Sequence, residues 1–425
     1  MLELLDLRER GERLEPTGVD LDPTVADRVR SILERVRAEG DAALVALAQE
    51  LDGADLSSVG LVVTPDEFVS AQEETPTELK AALDALVERI TELHARQLPR
   101  EWWEERDGLR FGEMVRPLRA VGCYVPGGRA VYPSSVCMTV VPAIVAGVEE
   151  IVVCTPPRLD GSVPAPVLYA AVRAGATRVI RSGGAQAIAA LAFGTDSVPR
   201  VDRIVGPGNV YVTEAKRQVG GLVGIDGLAG PSEVVVVADA AADPELVAID
   251  LVAQAEHDPD AKAHLVTTDA RLVEAVRNAL GREASSASRR EIVDRALIQA
   301  RAILVRDLGH AAEVVDALAP EHLLVLVDDP RAFVANVRNA GAIFLGSWSA
   351  VPFGDYGVAS NHVLPTAGTA RFASGLRASD FVTVRSVLEL GPEGAATFAP
   401  QTSAIARAEG LDGHARAMDA RRERA

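Results

Sequence analysis

From residue 120 onward the chain alternates short apolar runs with amphipathic ones, and this alternation restricts the fold more than any other feature. "AVGCYVPGG" reads as a strand ending in a Pro-Gly-Gly turn. "YPSSVCMTVVPAIVAGV" follows as a helix opened by Ser and Pro. "EEIVVCTPP", "TRVIRSG" and "VDRIVGPGN" read as further strands. "APVLYAAVRAGA", "GAQAIAALAFG" and "VYVTEAKRQV" read as the helices between and after them. A second run begins near 232 with "SEVVVVAD", the helix "DPELVAIDLVAQAEH" and the strand "KAHLVTTD". Helices near 270–281 and 287–300 follow, then the strands "RAILVRD", "EHLLVLVDD" and "AGAIFLG". Such alternation predicts mainly parallel sheets covered on both faces. The expected fold is α/β, with two incomplete Rossmann-like parallel-sheet domains and small helical extensions at the N- and C-terminal ends. A length of 425 residues suits more than one core.

The first thirty residues resemble a short terminal helix and a linker. "SILERVRAEGDAALVALAQE" and "TELKAALDALVERITELHARQL" have helical spacing, and His94 in the second is expected to be structural. His264, inside a predicted strand, is expected to pack without a catalytic role. "FVTVRSVLEL" is the last strand-like run, and "TSAIARAEGLDGHARAMDARR" closes the chain as helix.

The formal charge of -18, from 43 basic and 61 acidic residues, argues against a broad nucleic-acid surface, though a local patch can still hold an anion. "MLELLDLRER" lacks the pattern of a signal peptide, and "CMTVVPAIVAGVEE" is too short for a membrane span. A cytoplasmic protein without a membrane or nucleic-acid partner is expected. Cys123, Cys137 and Cys154 form no CxxC pair and are expected to be buried, unpaired thiols.

No GxGxxG follows the first strand. Other glycine turns close strands: Gly127-Gly128, Gly183-Gly184 and "GPGN" at 206–209. Several such turns at the carboxyl ends of a parallel sheet allow backbone N–H groups to approach phosphate. Tyr124 is placed to stack on a flat ring, and Gln186 and Asn209 to make directed amide hydrogen bonds. A dinucleotide fits this pattern without being compelled by it.

"VAQAEHDPDA" places Gln254 and His257 three apart, on one face of the predicted helix, with Glu256 turned about 100° away from His257. "APEHLL" sets Glu321 beside His322. "FGDYGVASNHVLPT" supplies Asp355 and His362, and "AEGLDGHA" supplies Glu409 and His414. Imidazoles and carboxylates without thiolates suit catalytic zinc, although composition does not separate zinc from manganese.

Together these segments resemble the histidinol dehydrogenase family over nearly the whole chain. The resemblance is carried by "VGCYVPGG", "GGAQAIAA", "GPGNVYVTEAKRQV", "GIDGLAGPSEVVVVAD", "QAEHDPDA", "APEHL", "GAIFLGSWS", "GDYGVASNHVLPT" and "EGLDGH". It implies one zinc ion per subunit on Gln254, His257, Asp355 and His414. It gives Glu321 and His322 as the acid–base pair and Tyr124, Gln186 and Asn209 as NAD contacts. It places Ser232, Gln254, His257, His322, Asp355, His362, Glu409 and His414 around the substrate. It also implies oxidation of L-histidinol to L-histidine with two NAD+ consumed, histidinaldehyde staying bound. The family is a homodimer with intertwined subunits, so Glu409 and His414 are expected to act in the partner's site.

The implied division assigns 1–22 to an N-terminal helical extension and 23–123 with 233–376 to a first α/β domain carrying much of the metal and catalytic site. Residues 124–232 form a second, NAD-binding domain, and 377–425 a C-terminal arm. Ala359 departs from the family's usual glycine, while the positions of Asp355 and His362 remain intact. Two other readings share the scaffold: a zinc- and NAD-dependent dehydrogenase of a sulfonated diol, and a catalytically silent binding or assembly protein.

Overall fold

The computed structural model describes residues 2–9, 18, 23–127 and 130–425, so Gly128 and most of 1–22 lie outside the described residues. In chain order the strands are β1 (Glu3–Asp6), β2 (Trp102–Arg106), β3 (Leu109–Pro117), β4 (Ala120–Tyr124) and β5 (Glu150–Thr155). Then come β6 (Arg178–Arg181), β7 (Arg203–Val205), β8 (Gly224–Ile225), β9 (Glu233–Ala238) and β10 (Lys262–Thr267). The last are β11 (Arg301–Leu304), β12 (His322–Leu326), β13 (Ala342–Leu345) and β14 (Val382–Leu390).

Among the described residues these strands make three sheets, ordered β6-β5-β4-β7-β8, β1-β11-β10-β9-β12-β13 and β14-β3-β2. The first two are parallel throughout, as the alternation predicts. The central strands β4 ("AVGCY") and β9 ("EVVVVA") are buried along their whole length, which explains runs without polar alternation. Each parallel sheet reverses its strand order beside its central strand, at β4/β7 and at β9/β12.

The third sheet is antiparallel. β3 pairs along its whole length with β14, from Leu109↔Leu390 to Pro117↔Val382, so the C-terminal segment is tied to a hairpin near residue 110. The helices Pro392–Ala408 and Asp412–Arg422 follow β14 and pack on each other, giving the helical arm expected at the C-terminal end.

Two features differ from expectation. Residues 3–6 are not helical: "ELLD" forms the edge strand β1, paired in parallel with β11. Among the described residues the first helix is Pro23–Glu39. The expected division also fails over 23–95. Val29, Val36 and Leu44 share a core with Ala120, Tyr124 and Ile188. Leu83, Leu86 and Ile90 share another with Val136, Val140 and Val153. The N-terminal helices therefore cover the β4–β8 sheet, because their apolar stripes need a face to bury and that sheet supplies one. The six-stranded sheet is sandwiched instead by elements from 244–345.

No helix among the described residues is long and apolar enough to cross a membrane.

Candidate active site

Residue 233 opens β9 and residue 322 opens β12, and the register sets His322 opposite Val234. This places the catalytic candidates at the amino ends of the six-stranded sheet. The glycine turns and Asn209 lie at the carboxyl ends of the other parallel sheet, where α/β folds usually bind ligands. The two are joined by the helix Pro133–Ala146, which follows β4: its Ser135 Oγ lies 3.2 Å from His362 Nε2, and its Met138 carbonyl accepts a hydrogen bond from Asn361 Nδ2 at 2.7 Å.

Glu321 and His322 are both buried, at 5% and 4% exposure. The backbone of Glu233 brackets them. Its N–H donates to Glu321 Oε2 at 2.9 Å, and its carbonyl accepts from His322 Nδ1 at 3.2 Å. The carbonyl fixes the Nδ1–H tautomer and leaves Nε2 as the exchangeable site. That nitrogen lies 3.3 Å from Asp355 Oδ1 but without the angle of a hydrogen bond, and no other atom satisfies it.

Burial pushes the Glu321 carboxyl up to about 7, against the opposing pull of His322. Burial acts the other way on His322, but the Glu321 and Asp355 carboxylates overrule it and raise the imidazole to about 9. The two groups lie 3.6 Å apart and titrate as a pair. Asp355 is held below the usual carboxylate range: burial opposes this, and His322, His362 and His257 overcome it.

Asp355 sits at the end of the short helix Val351–Asp355. Its backbone carbonyl accepts from His362 Nδ1 at 2.9 Å. With Ser135 on the other nitrogen, both ring nitrogens of His362 already have protein partners, so this geometry makes His362 a brace for Asp355. Its loop is fixed in turn by Asn361, whose Nδ2 donates to His94 Nε2 at 3.1 Å and whose Oδ1 accepts from Val363 N–H at 2.9 Å. His94 donates from Nδ1 to Gln97 Oε1 at 2.7 Å, completing a buried network under the site.

Gln254 lies in the last turn of the helix Pro244–Ala255. His257 falls just beyond it, after Glu256 as the C-terminal cap, so the helix does not reach His257 as expected. Gln254 is 4% exposed and its Nε2 has no partner. His257 interacts electrostatically with Asp355 and His322. Desolvation lowers its pKa, against the pull of Asp355, although the residue as a whole is exposed. Ser232 immediately precedes β9 and is partly buried.

Glu409 and His414 are exposed on the C-terminal arm. The described residues hold no group of three or more His, Cys, Asp or Glu side chains placed to share a metal ion, so His414 does not join His257 and Asp355 within one chain.

At the glycine turns, Tyr124 is 3% exposed and packed in the core, and its hydroxyl accepts from Gly184 N–H at 3.1 Å. A ring so enclosed has no open face for stacking, which corrects that expectation. Gln186 is 2% exposed; its Nε2 lies 3.5 Å from Asp52 Oδ2 and its Oε1 has no partner. Asn209 caps the helix Val210–Val219: its Oδ1 accepts from Tyr211 N–H at 3.0 Å and Val212 N–H at 3.2 Å. The cap occupies the oxygen, so Asn209 has only its NH2 to offer a ligand.

Sequence reasoning missed Glu233, Ser135 and Asn361 as supports. Glu233 acts through its backbone, which leaves no side-chain signature. The other two gain their roles from contacts across more than two hundred residues of chain.

The family model for histidinol dehydrogenase matches residues 17–422. A histidinol dehydrogenase from Moorella thermoacetica is 49% identical over 391 residues, covering 91% of this chain and 92% of the relative. One from Halalkalibacterium halodurans is 47% identical over 391 residues, covering 92% of each. The crystal structure of histidinol dehydrogenase from Elizabethkingia anophelis superposes with a TM-score of 0.92 at 34% identity, covering 96% of this chain and 94% of that one. With a family match over nearly its full length, the same name on both relatives and the same fold in a solved member, the chain belongs to the histidinol dehydrogenase family.

Proposed function

We propose that this chain oxidises L-histidinol to L-histidine, the last step of histidine biosynthesis. It does so with two NAD+ in succession, one zinc ion per subunit, and active sites shared across a homodimer in the cytoplasm. The observation that carries this reading is the buried Glu321–His322 pair, bracketed by the Glu233 backbone, with an unsatisfied His322 Nε2 beside Asp355.

The residues fit zinc. Asp355 is a carboxylate held ionised, His257 is held neutral, and Gln254 presents a buried carboxamide whose carbonyl oxygen would be the ligand atom, its Nε2 having no partner. Zinc on Gln254, His257, Asp355 and the partner's tail would orient the substrate imidazole and amine, while NAD+ accepts hydride.

His322 Nε2 takes the hydroxyl proton as hydride leaves the carbinol carbon. A cation on Asp355 would compete with His322 for the same oxygen and weaken one of the two carboxylates that hold its proton. Glu321, raised to about 7, is suited to take a proton from water as it adds to the aldehyde. His322 then removes a proton from the gem-diol as the second hydride departs. In sum, one alcohol, one water and two NAD+ give one carboxylate, two NADH and the released protons. A closed site retains the aldehyde.

The shared site is supported by the exposure of His414 and Glu409 in the single chain. On either side of Asp355 in the sequence, Trp348 is 94% exposed, Phe372 83% and Tyr356 66%, and such exposed aromatic side chains accord with a covering partner. The buried, unpaired Cys123, Cys137 and Cys154 accord with a reducing compartment.

Zinc-loaded protein should form NADH with L-histidinol and not with a dihydroxy sulfonate. Turnover of the sulfonate alone would overturn the assignment in favour of the related dehydrogenase.

A further inference from the structure

Gly206 follows β7 at the sheet's carboxyl end, with φ +116, and a Cβ there would lie 2.0 Å from the Tyr124 carbonyl oxygen. Only glycine permits so close a crossing of β4. Both of its main-chain polar groups are taken by one ion pair. Its N–H donates to Asp226 Oδ2 at 2.6 Å, and its carbonyl accepts from Lys216 Nζ at 2.6 Å. Lys216 Nζ donates to Asp226 Oδ1 at 2.5 Å, which closes the ring of contacts. Lys216 and Asp226 side chains are 3% and 10% exposed.

Burying an ammonium and a carboxylate costs several kcal/mol of desolvation, and apolar residues of similar volume often stabilise a fold as well or better. The pair's geometric effect is specific. It fixes the first residue of "GPGN", while the Asn209 cap fixes the last against the helix that also carries Lys216. Between these two anchors the loop can present the Asn209 NH2 in one place.

We propose that Lys216 and Asp226 are positioning residues for the dinucleotide: by holding Gly206 at both polar groups they set the 206–209 loop, and with it the Asn209 donor, against the cofactor. This rests on the reading of Asn209 as an NAD contact. The pair touches neither the substrate cluster nor the metal candidates, so its effect should appear in cofactor binding alone.

The test uses the zinc-replete enzyme and the double variant Lys216→Met/Asp226→Asn, which leaves no unpaired buried charge, with Asn209→Ala measured beside it. We expect KM for NAD+ to rise about tenfold in the double variant. KM for histidinol, zinc content and melting temperature should stay near those of the parent. If Asn209→Ala raises KM for NAD+ and the double variant does not, the clamp is overturned and the cofactor reading stands. If neither moves it, the cofactor reading of the loop falls and the clamp falls with it. A double variant that raises both KM values together and lowers the melting temperature shows a merely structural pair and also overturns the proposal. Should the double variant not fold, Lys216→Arg, which keeps the buried pair's charges but alters the geometry of the donor to the Gly206 carbonyl, should raise KM for NAD+ about threefold; an unchanged value contradicts the clamp.

Discussion

The backbone carbonyl of Glu233 accepts a hydrogen bond from Nδ1 of His322 at 3.2 Å, and this contact decides which imidazole nitrogen exchanges protons. Nε2 is left without a partner beside Asp355, free to act as a base for the substrate hydroxyl. Replacing His322 with Asn removes that nitrogen while keeping a polar group of similar reach. Turnover should fall by roughly 10²–10⁴-fold, with zinc content near that of the parent. Metal analysis beside steady-state rates checks both halves, and unchanged turnover removes His322 from the mechanism.

Glu321 is assigned to the water that adds to the aldehyde, so its loss should separate the two oxidations. In Glu321→Gln the second step should slow by about tenfold or more relative to the first, and an aldehyde-trapping reagent should capture an intermediate that the parent retains. Equal slowing of both steps would assign Glu321 to a different task.

The shared-site arrangement makes a prediction about mixtures. His257→Asn and His414→Asn should each bind less zinc and turn over poorly. Subunits of the two variants, unfolded and refolded together, should recover about one quarter of the parent activity, since half the dimers are mixed and each mixed dimer has one intact site. No recovery on mixing would place His257 and His414 in the same chain's site.

His264 offers a test of stability away from the site. Burial, followed by the charges of Lys262 and Arg301, lowers its imidazole to about 4 from the usual 6.5. Its Nδ1 also accepts from Arg301 N–H at 3.3 Å, a contact that protonation of that nitrogen removes. Between these values the unfolded chain binds the proton and the folded chain does not, so stability falls as pH drops from about 6.5 towards 4. From pH 7 to 5 the parent should lose roughly 1–2 kcal/mol more than His264→Gln. Denaturant unfolding of both proteins at the two pH values checks this, and parallel losses would contradict it.

The parallel sheets were legible because fully buried strands such as "EVVVVA" carry an uninterrupted apolar run and helical spacing fills the gaps between strands. The edge strand "ELLD" was not, since its residues are mostly exposed and its identity comes from pairing with β11. The grouping of 23–95 with the β4–β8 sheet was hidden for a similar reason: an apolar helical stripe announces that it needs a partner without naming which. Within the site, Glu321 and His322 stood out by adjacency. Glu233 did not, because its hydrogen bonds to both use the backbone. Lys216 and Asp226 carry no sequence signature of their own: one lies in the helix after β7 and the other just after β8, and only the fold brings them around Gly206.

The most direct measurement is an endpoint count. Zinc-loaded protein is given limiting L-histidinol and excess NAD+, and NADH and histidine are quantified at completion. Two NADH and one histidine per histidinol are predicted; one NADH with free aldehyde, or no NADH, would contradict the four-electron reaction.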